Sequence, residues 1–272
     1  LDGASVMNLS TVAVDMHVSK DIIAEFEVIT NRFDAVMGRA GTAVTNAVTK
    51  SGTDMVHGSG FFYLRDDKLN ARDFFTNRVE PYSNRQFGGT VGGPIVKGKT
   101  HFFGSYERQV EPKTLSANTR MPAYDQPVES PITRNLYFFR IDHSLTPTHR
   151  LNFGYNRLDH EQPNSGVGGL TTISSASNAR FLIYRLNVGL NSVFSGKFVN
   201  QVIFTYMNTT RKWSRVDPGH QYSFPSFSIG GPPAGIGREH PVFTYVRDDA
   251  SYVFDWRGQH SVKFGGEYQH GN

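Results

Sequence analysis

The sequence predicts a mainly β protein, an antiparallel up-and-down transmembrane β-barrel present here only in part, preceded by a piece of a small α+β domain. Three observations predict it. The 272 residues contain 27 Gly, 21 Phe and 12 Tyr but only 19% charged residues, a composition typical of many short strands joined by turns. From His57 onward, polar and apolar residues alternate as in strands. The connections between these segments are alternately short and long.

The same composition excludes several classes of protein. High aromatic content with low charge argues against disorder, and no apolar stretch approaches the roughly 20 residues of a membrane-spanning helix. The net charge is +4 with scattered basic residues, which argues against nucleic-acid binding. With no cysteine, disulfides, thiolate metal sites and Cys nucleophiles are excluded.

Residues 1–54 differ from the remainder and are predicted to be a separate piece. Asp21–Ile29 has strand-like spacing, Asn31–Met37 is predicted to form a short helix or turn, and Thr42–Lys50 is predicted to form a second strand that ends at the turn Ser51–Thr53. Leu1-Asp2-Gly3-Ala4 shows no signal peptide. Because the sequence starts at Leu, we expect that an N-terminal region is missing.

Residues 55–272 are predicted to be the first strands of the barrel. Nine strands are expected at about 57–65, 85–96, 100–111, 134–144, 150–159, 179–194, 198–211, 241–256 and 260–270. The tight turns are Lys97–Lys99, Thr146–His149, Ser195–Lys197 and Arg257–Gln259; the long loops are 66–84, 112–133, 160–178 and 212–240. An up-and-down sheet with one trimmed rim has this connectivity, and all its long loops lie on one side.

The alternation within the strands indicates what each face contacts. In 179–194, Leu186 and Val188 share a face that is almost uncharged, whereas Arg185 and Asn187 share the opposite face. The apolar spans of about 8–10 residues are close to the ~9–11 residues of a tilted membrane strand. A soluble sandwich also alternates. The Gly-, Asn- and Ser-rich polar faces and the asymmetric loops favour the membrane barrel.

Motifs that could carry chemistry have structural explanations. Gly93–Thr100 matches the G-x-x-x-x-G-K-[ST] phosphate loop, but the residues after it predict a strand rather than the required helix, and Pro94 removes a needed N–H. Gly98 instead suits a hairpin turn. The histidines lack metal-ligand spacing, and Asp66-Asp67 and Asp248-Asp249 are predicted to be solvated or rim charges. We therefore predict no catalysis, no cofactor and no metal.

One loop is a candidate ligand site. The loop 212–240 carries Trp213, Tyr222, Phe224 and Phe227 among Gly and Pro residues. Aromatic side chains on loops bind sugars and ring-bearing ligands, or they pack the loop against itself. Both interpretations stay open at this point.

Several segments resemble the TonB-dependent outer-membrane transporters. Ile23–Val28, Phe33–Ala35, Gly38–Gly41 and Val44–Thr53 are similar to the end of their plug domain. The more specific segments, which resemble the Oar-like branch with its carboxypeptidase-regulatory-like domain, are His57–Ser59, Phe61–Arg65, Leu69–Phe75, Gln86–Ile95 and Phe102–Glu107. These motifs cover roughly residues 20–110.

The resemblance implies a function. It implies a plug inside a barrel of 22 strands, of which residues 1–54 and 55–272 would be parts. The whole protein would sit in the bacterial outer-membrane lipid and take up a bulky nutrient, a siderophore, oligosaccharide or peptide, energised by a TonB-type complex acting through a region upstream. The TonB box and the remaining strands are expected outside this chain. There are two alternatives to the transporter. The first is a non-transporting surface-binding, adhesive or structural β-barrel, and the second is a phosphate-loop NTPase.

Overall fold

A computed structural model describes residues 1–3, 16–30, 44–72, 79, 83–231 and 237–272. The short helix or turn predicted at 31–37 lies outside these residues, as do the motif segments 33–35, 38–41 and 73–75. No helix in the described part of the chain is long and apolar enough to span a bilayer.

The described residues form sixteen strands and three short 3-10 helices. The strands are β1 (Ile23–Ile29), β2 (Val44–Thr49), β3 (His57–Asp66), β4 (Ser83–Val96), β5 (Thr100–Glu111), β6 (Thr114–Leu115), β7 (Val128–Glu129), β8 (Ile132–Thr146), β9 (His149–Ser165), β10 (Ser177–Ser195), β11 (Phe198–Arg215), β12 (Tyr222–Phe224), β13 (Phe227–Ile229), β14 (Gly237–Glu239), β15 (Val242–Asp255) and β16 (Gln259–Gly271). The 3-10 helices are Lys20–Ile22, Asp67–Leu69 and Ile173–Ser175.

One large antiparallel sheet dominates the fold. Its order is β3-β4-β5-β8-β9-β10-β11-β15-β16, with β14 added to β11. Each long strand therefore pairs with the next long strand along the chain, which is an up-and-down meander. Within the described residues β3 and β16 do not pair with each other, so the sheet is open, as an incomplete barrel should be. All nine predicted strands are confirmed.

The strands are longer than predicted at the rim with the long loops. The β10–β11 ladder continues to the pair Ser177 and Arg215, whereas the sequence predicted that these strands would start at 179 and end at 211. Backbone pairing continues there because each strand still has a neighbour, even though the apolar alternation has stopped. The 212–240 loop therefore begins later than predicted.

The opposite rim consists of tight turns, as predicted. Gly98 adopts φ +69°, and the Lys99 amide donates to the Val96 carbonyl at 3.0 Å. The segment that matches the phosphate-loop pattern is therefore the end of β4, a hairpin turn and the start of β5. It offers no helix N-terminus to a phosphate.

Along the middle of β10 the two faces of the sheet have an inverted polarity. On β10, Arg185 is 0% exposed and Asn187 is 3% exposed, whereas Leu186 and Val188 between them are only half-buried. We call the face of Arg185 and Asn187 the inner face and the opposite one the outer face. A soluble sandwich would bury the apolar face, so this arrangement fits an outer face in contact with lipid.

Aromatic side chains form two belts on the outer face. Phe194, Phe198 and Tyr252 lie side by side on β10, β11 and β15 near the tight turns, and the centroids of neighbouring rings are 5.5 and 6.5 Å apart. Nearer the long loops, Tyr184 and Tyr206 lie 6.4 Å apart. On β10, Tyr184 and Phe194 are separated by ten residues, about 33 Å of strand and roughly 25 Å of depth at a 40° tilt, the height of the apolar band of an outer-membrane barrel.

Candidate functional site

The candidate site lies where the segment before β3 packs on the inner face of the sheet. Ile22 is fully buried against Phe103 of β5 and Phe138 of β8, and Val18 and Ile23 pack beside it. The two phenylalanine rings are 6.0 Å apart. Buried apolar contacts therefore attach the residues preceding β1 to the wall. We call the described residues up to β2 the inner segment.

Polar contacts attach the other end of the inner segment. Arg140 of β8 donates to the Thr49 carbonyl at 3.1 Å and to Thr49 Oγ1 at 2.8 Å. Its remaining donors reach both carboxylate oxygens of Asp142, each at 2.8 Å. A bidentate pair of this kind is charge-assisted and fixes the guanidinium plane, so Arg140 presents a rigid donor to the inner segment.

The chain then leaves the inner segment through a tight passage. A Cβ on Gly52 would overlap the Phe102 carbonyl oxygen and lie 2.8 Å from the Gly93 carbonyl oxygen. Asp54 Oδ1 accepts from the Gly98 amide at 2.6 Å and interacts with His101 Nε2 at 2.8 Å. The Gly98 amide, followed by His101, lowers the pKa of the Asp54 carboxyl below its usual 3.8.

A cavity opens above the inner segment, towards the long loops. Its volume is about 240 Å³, and it is lined by His17, Arg134, Leu158, His160, Phe181, Ile183 and Arg211. His17 belongs to the inner segment and the others to the wall. Burial, and then the positive charge of Arg134, lower the pKa of His17. The cavity thus has an apolar floor and a cationic rim.

Trp213, predicted to lie in a loop, lies next to this cavity on β11. Its backbone pairs with Ala179 and Gly237, because the ladder extends beyond the predicted strand end. Its ring meets the Phe181 ring edge-on at 5.4 Å, and Phe181 stacks on His160 at 5.0 Å. The predicted site residue is therefore a wall residue rather than a loop residue.

The other three predicted site residues lie together on the β12–β13 hairpin. Phe227 is 8% exposed and stacks on Phe224 at 4.9 Å and on Tyr124 of a neighbouring loop at 5.3 Å. Tyr222 and Phe224 are 60% and 48% exposed. Phe227 packs the loops together, which is what the loop-packing interpretation expected. Tyr222 and Phe224 leave aromatic surface exposed, which the ligand-binding interpretation requires.

The acidic pairs have structural roles. Asp66 caps the 3-10 helix after β3 by accepting from the Lys68 amide at 3.1 Å. Asp249 forms an ion pair with Arg247 at 2.5 Å, and Asp248 accepts from Asn200. No group of three or more potential metal-ligating side chains occurs among the residues that the structure describes.

Comparison with known proteins shows the family. The outer membrane beta barrel domain matches residues 48–127 and 110–272, most of the chain. The chain belongs to the outer membrane beta barrel domain family. Membership explains the outward apolar face and the aromatic belts, and it places this barrel chain in the bacterial outer membrane.

Individual relatives agree with this. The TonB-dependent transporter Oar of Myxococcus xanthus is 31% identical over 112 residues, which is 37% of this chain and 11% of Oar. The outer membrane transporter YddB of Escherichia coli superposes with a TM-score of 0.68 at 10% identity, covering 99% of this chain and 38% of YddB. A mutant of the ferric enterobactin receptor PfeA of Pseudomonas aeruginosa, in complex with enterobactin, has a TM-score of 0.63 at 12% identity, covering 92% of this chain and 36% of PfeA.

These shares have a consequence for the barrel. This chain spans well under half the length of the solved structures it matches. Because the identity to them is low, the likeness shows the fold alone. The nine long strands are therefore one section of a barrel wall, and the cavity is described only from this section.

The residues that line the cavity were not predicted as a site. His17, Arg134, His160 and Arg211 come from four separate parts of the sequence, and none belongs to a motif. Strand parity carried a usable signal for Arg134 and Arg211, which lie on the inner faces of predicted strands, whereas His160 fell in the predicted loop 160–178 and joins the site because β9 continues to Ser165. What parity could not show is that the inner segment brings His17 to the same place.

Proposed function

We propose that this chain is part of a TonB-dependent transporter that takes up a bulky nutrient across the outer membrane. Residues 1–54 would be the C-terminal part of its plug and residues 55–272 the N-terminal part of its barrel. The observation that carries the proposal is the inner segment, held against the inner face of a sheet whose outer face is apolar.

The contacts of the inner segment support transport over a passive pore. Buried apolar side chains and the Arg140–Thr49 hydrogen bonds attach it to the wall, so in the whole barrel this segment would obstruct the lumen until it moves or rearranges. Such a movement costs free energy that an outer membrane has no local means to supply. A TonB-type complex, acting through a region upstream of this chain, would supply it. Oar, a relative by sequence similarity, is named as a TonB-dependent transporter.

The ligand would bind on the side of the long loops. The exposed Tyr222 and Phe224 rings offer surfaces for ring-bearing or sugar ligands, and Trp213 lies deeper, beside the cavity. A siderophore, an oligosaccharide or a peptide fits this description, and PfeA, similar in fold, has been solved with enterobactin. We assign no bond chemistry to the chain, and nucleic acid is not among the proposed partners.

A deletion of the full-length gene in the source bacterium tests the proposal. The deletion strain and a strain complemented with the intact gene would be supplied with radiolabelled siderophore, oligosaccharide and peptide pools. We expect the deletion to abolish uptake of one pool, and a protonophore to block uptake in the complemented strain while surface binding persists. Normal uptake of every pool, with a loss of cell adhesion or envelope integrity, would instead support the non-transporting surface protein.

A further inference from the structure

We propose that three basic side chains on the outer face, Arg180, Lys212 and Arg238, bind a lipid whose headgroup carries a phosphate. We call these residues the basic row. The inference goes beyond the proposed function, because it uses only the placement of the sheet in the bacterial outer membrane. Outer-membrane barrels carry their long loops on the extracellular side, so the basic row, at the rim with the long loops, faces the outer leaflet.

The three side chains lie in direct register on neighbouring strands. Arg180 of β10 is opposite Lys212 of β11, and Lys212 is opposite Arg238 of β14. Directly opposite residues share one face of a sheet, and like charges in such positions destabilise it. The third cation is present because β14 pairs with β11 beyond Asn208, where the pairing with β15 ends. Positive charge is thus concentrated across three adjacent strands.

The fold neutralises this charge only in part. Arg180 Nε lies 3.2 Å from a carboxylate oxygen of Glu161, and both side chains are largely exposed. Within the described part of the chain, no carboxylate forms an ion pair with Lys212 or Arg238, and both of these residues are exposed. The basic row therefore keeps an excess of two positive charges, which one phosphate group would balance.

The depth of the basic row matches that of lipid headgroups. Arg180 lies four residues above Tyr184 of the upper aromatic belt, about 13 Å along the strand and roughly 10 Å of depth at a 40° tilt. Aromatic belts mark the edge of the hydrocarbon, and the headgroup layer extends about 5–8 Å beyond it. Arginine and lysine side chains are long enough to reach back into that layer. A lipid phosphate would meet the basic row while its acyl chains lie along Leu182 and the apolar surface below.

A lipid suits the basic row better than a dissolved anion does. Because the three side chains are exposed, water and salt weaken their contacts with a free phosphate. A lipid is held beside the outer face by its acyl chains, which raises the effective concentration of its headgroup at the basic row. Each basic side chain near an anionic membrane surface strengthens binding about fivefold. Two unpaired cations therefore predict a preference of roughly 25-fold for a phosphate-bearing lipid.

Lipid titration of the full-length receptor in detergent, followed by native mass spectrometry, tests the inference. The probes are phosphatidic acid, phosphatidylcholine and diacylglycerol with identical acyl chains, which carry an anionic phosphate, a phosphate balanced by choline, and no phosphate. We expect phosphatidic acid to bind tenfold or more tightly than the other two, and equal binding of all three would overturn the inference. Glucose 1-phosphate supplies the phosphate without acyl chains. If it binds as tightly as phosphatidic acid, the basic row takes a dissolved anion and the lipid assignment is wrong.

Substitutions locate the site. Lys212→Gln and Arg238→Gln should each weaken the binding of phosphatidic acid about fivefold and leave that of diacylglycerol unchanged, whereas Lys212→Arg should retain the preference. The matched control is Arg157→Gln, because Arg157 lies lower on the outer face and is already paired with Asp159 by hydrogen bonds of 3.1 and 3.0 Å. Equal weakening by Arg157→Gln and Lys212→Gln would refute the assignment. Heat-modifiable mobility in electrophoresis verifies that each variant has folded.

Discussion

The cost of an arginine on the outer face should depend on depth. Val188 lies on β10 directly between Phe153 and Phe204, four residues below Tyr184 of the upper aromatic belt. Four residues correspond to about 10 Å of depth at a 40° tilt, which places Val188 near the middle of the apolar band. Leu182 shares its face and strand but lies two residues above Tyr184, between Asp159 and Thr210.

The expected magnitudes follow from these positions. An arginine at the midplane of an outer-membrane barrel costs about 2–4 kcal/mol, and one near the interface about 0–1 kcal/mol. We therefore expect Val188→Arg to lower the free energy of unfolding by about 2–4 kcal/mol and Leu182→Arg by no more than about 1 kcal/mol. Part of the cost at both sites is offset because the arginine stem remains apolar.

The assay is urea unfolding of the full-length protein folded into phosphatidylcholine vesicles, monitored by tryptophan fluorescence. Val188→Leu is the matched control and should stay within about 1 kcal/mol of the original. Equal losses for the two arginine variants would show that the outer face does not cross a bilayer.

Three further perturbations concern the inner segment. Gly52→Val should lower the free energy of unfolding by about 1–3 kcal/mol, because the side chain would overlap the Phe102 backbone carbonyl; the urea midpoint measures this. Asp54→Asn should be less stable than the original at neutral pH, because the contacts that lower the pKa of Asp54 stabilise only its ionised carboxylate. The difference should shrink once the pH falls below about 3.8 and disappear as it passes through the lowered pKa of Asp54. Urea midpoints of the two proteins, measured against pH, check this. Arg140→Met should lower the free energy of unfolding by about 1–3 kcal/mol, because the carbonyl and hydroxyl of Thr49 lose a charged hydrogen-bond donor. It should also speed amide hydrogen exchange in β2, the strand that ends at Thr49, and exchange measurements check this.

Each of these has a control and a contradicting outcome. Gly237→Ala, at a glycine with open space around it, should be neutral, and an equal loss there would refute steric packing at Gly52. A pH-independent difference for Asp54→Asn would refute the role of its ionised form. Unchanged exchange in β2 after Arg140→Met would show that this arginine does not hold the inner segment.

Most of the barrel wall was predictable because its rules are local. Alternation along a strand and a glycine in a turn are properties of a few adjacent residues, so β10 and its tight turn at Gly196 could be read directly. Strand ends at the long-loop rim were not predictable, because pairing outlasts the apolar pattern. Trp213 was assigned to a loop for that reason.

The site was less predictable because it depends on long-range contacts. Arg140 and Thr49 are 91 residues apart, and nothing near either residue indicates the other. The short strands β12 and β13 are equally dependent on their surroundings, since Phe227 is covered by Tyr124 from a distant loop. A sequence of alternating residues indicates which face a side chain joins, but not which segment will cover that face.

The most direct test of the account is a lipid-contact scan along β10. Single cysteines from position 184 to 190 in the full-length protein would each carry an environment-sensitive fluorophore, in vesicles with and without brominated lipid. The account predicts strong quenching at Leu186, Val188 and Leu190 and weak quenching at Arg185 and Asn187. Quenching without a two-residue period, or stronger at Arg185 and Asn187, would contradict it.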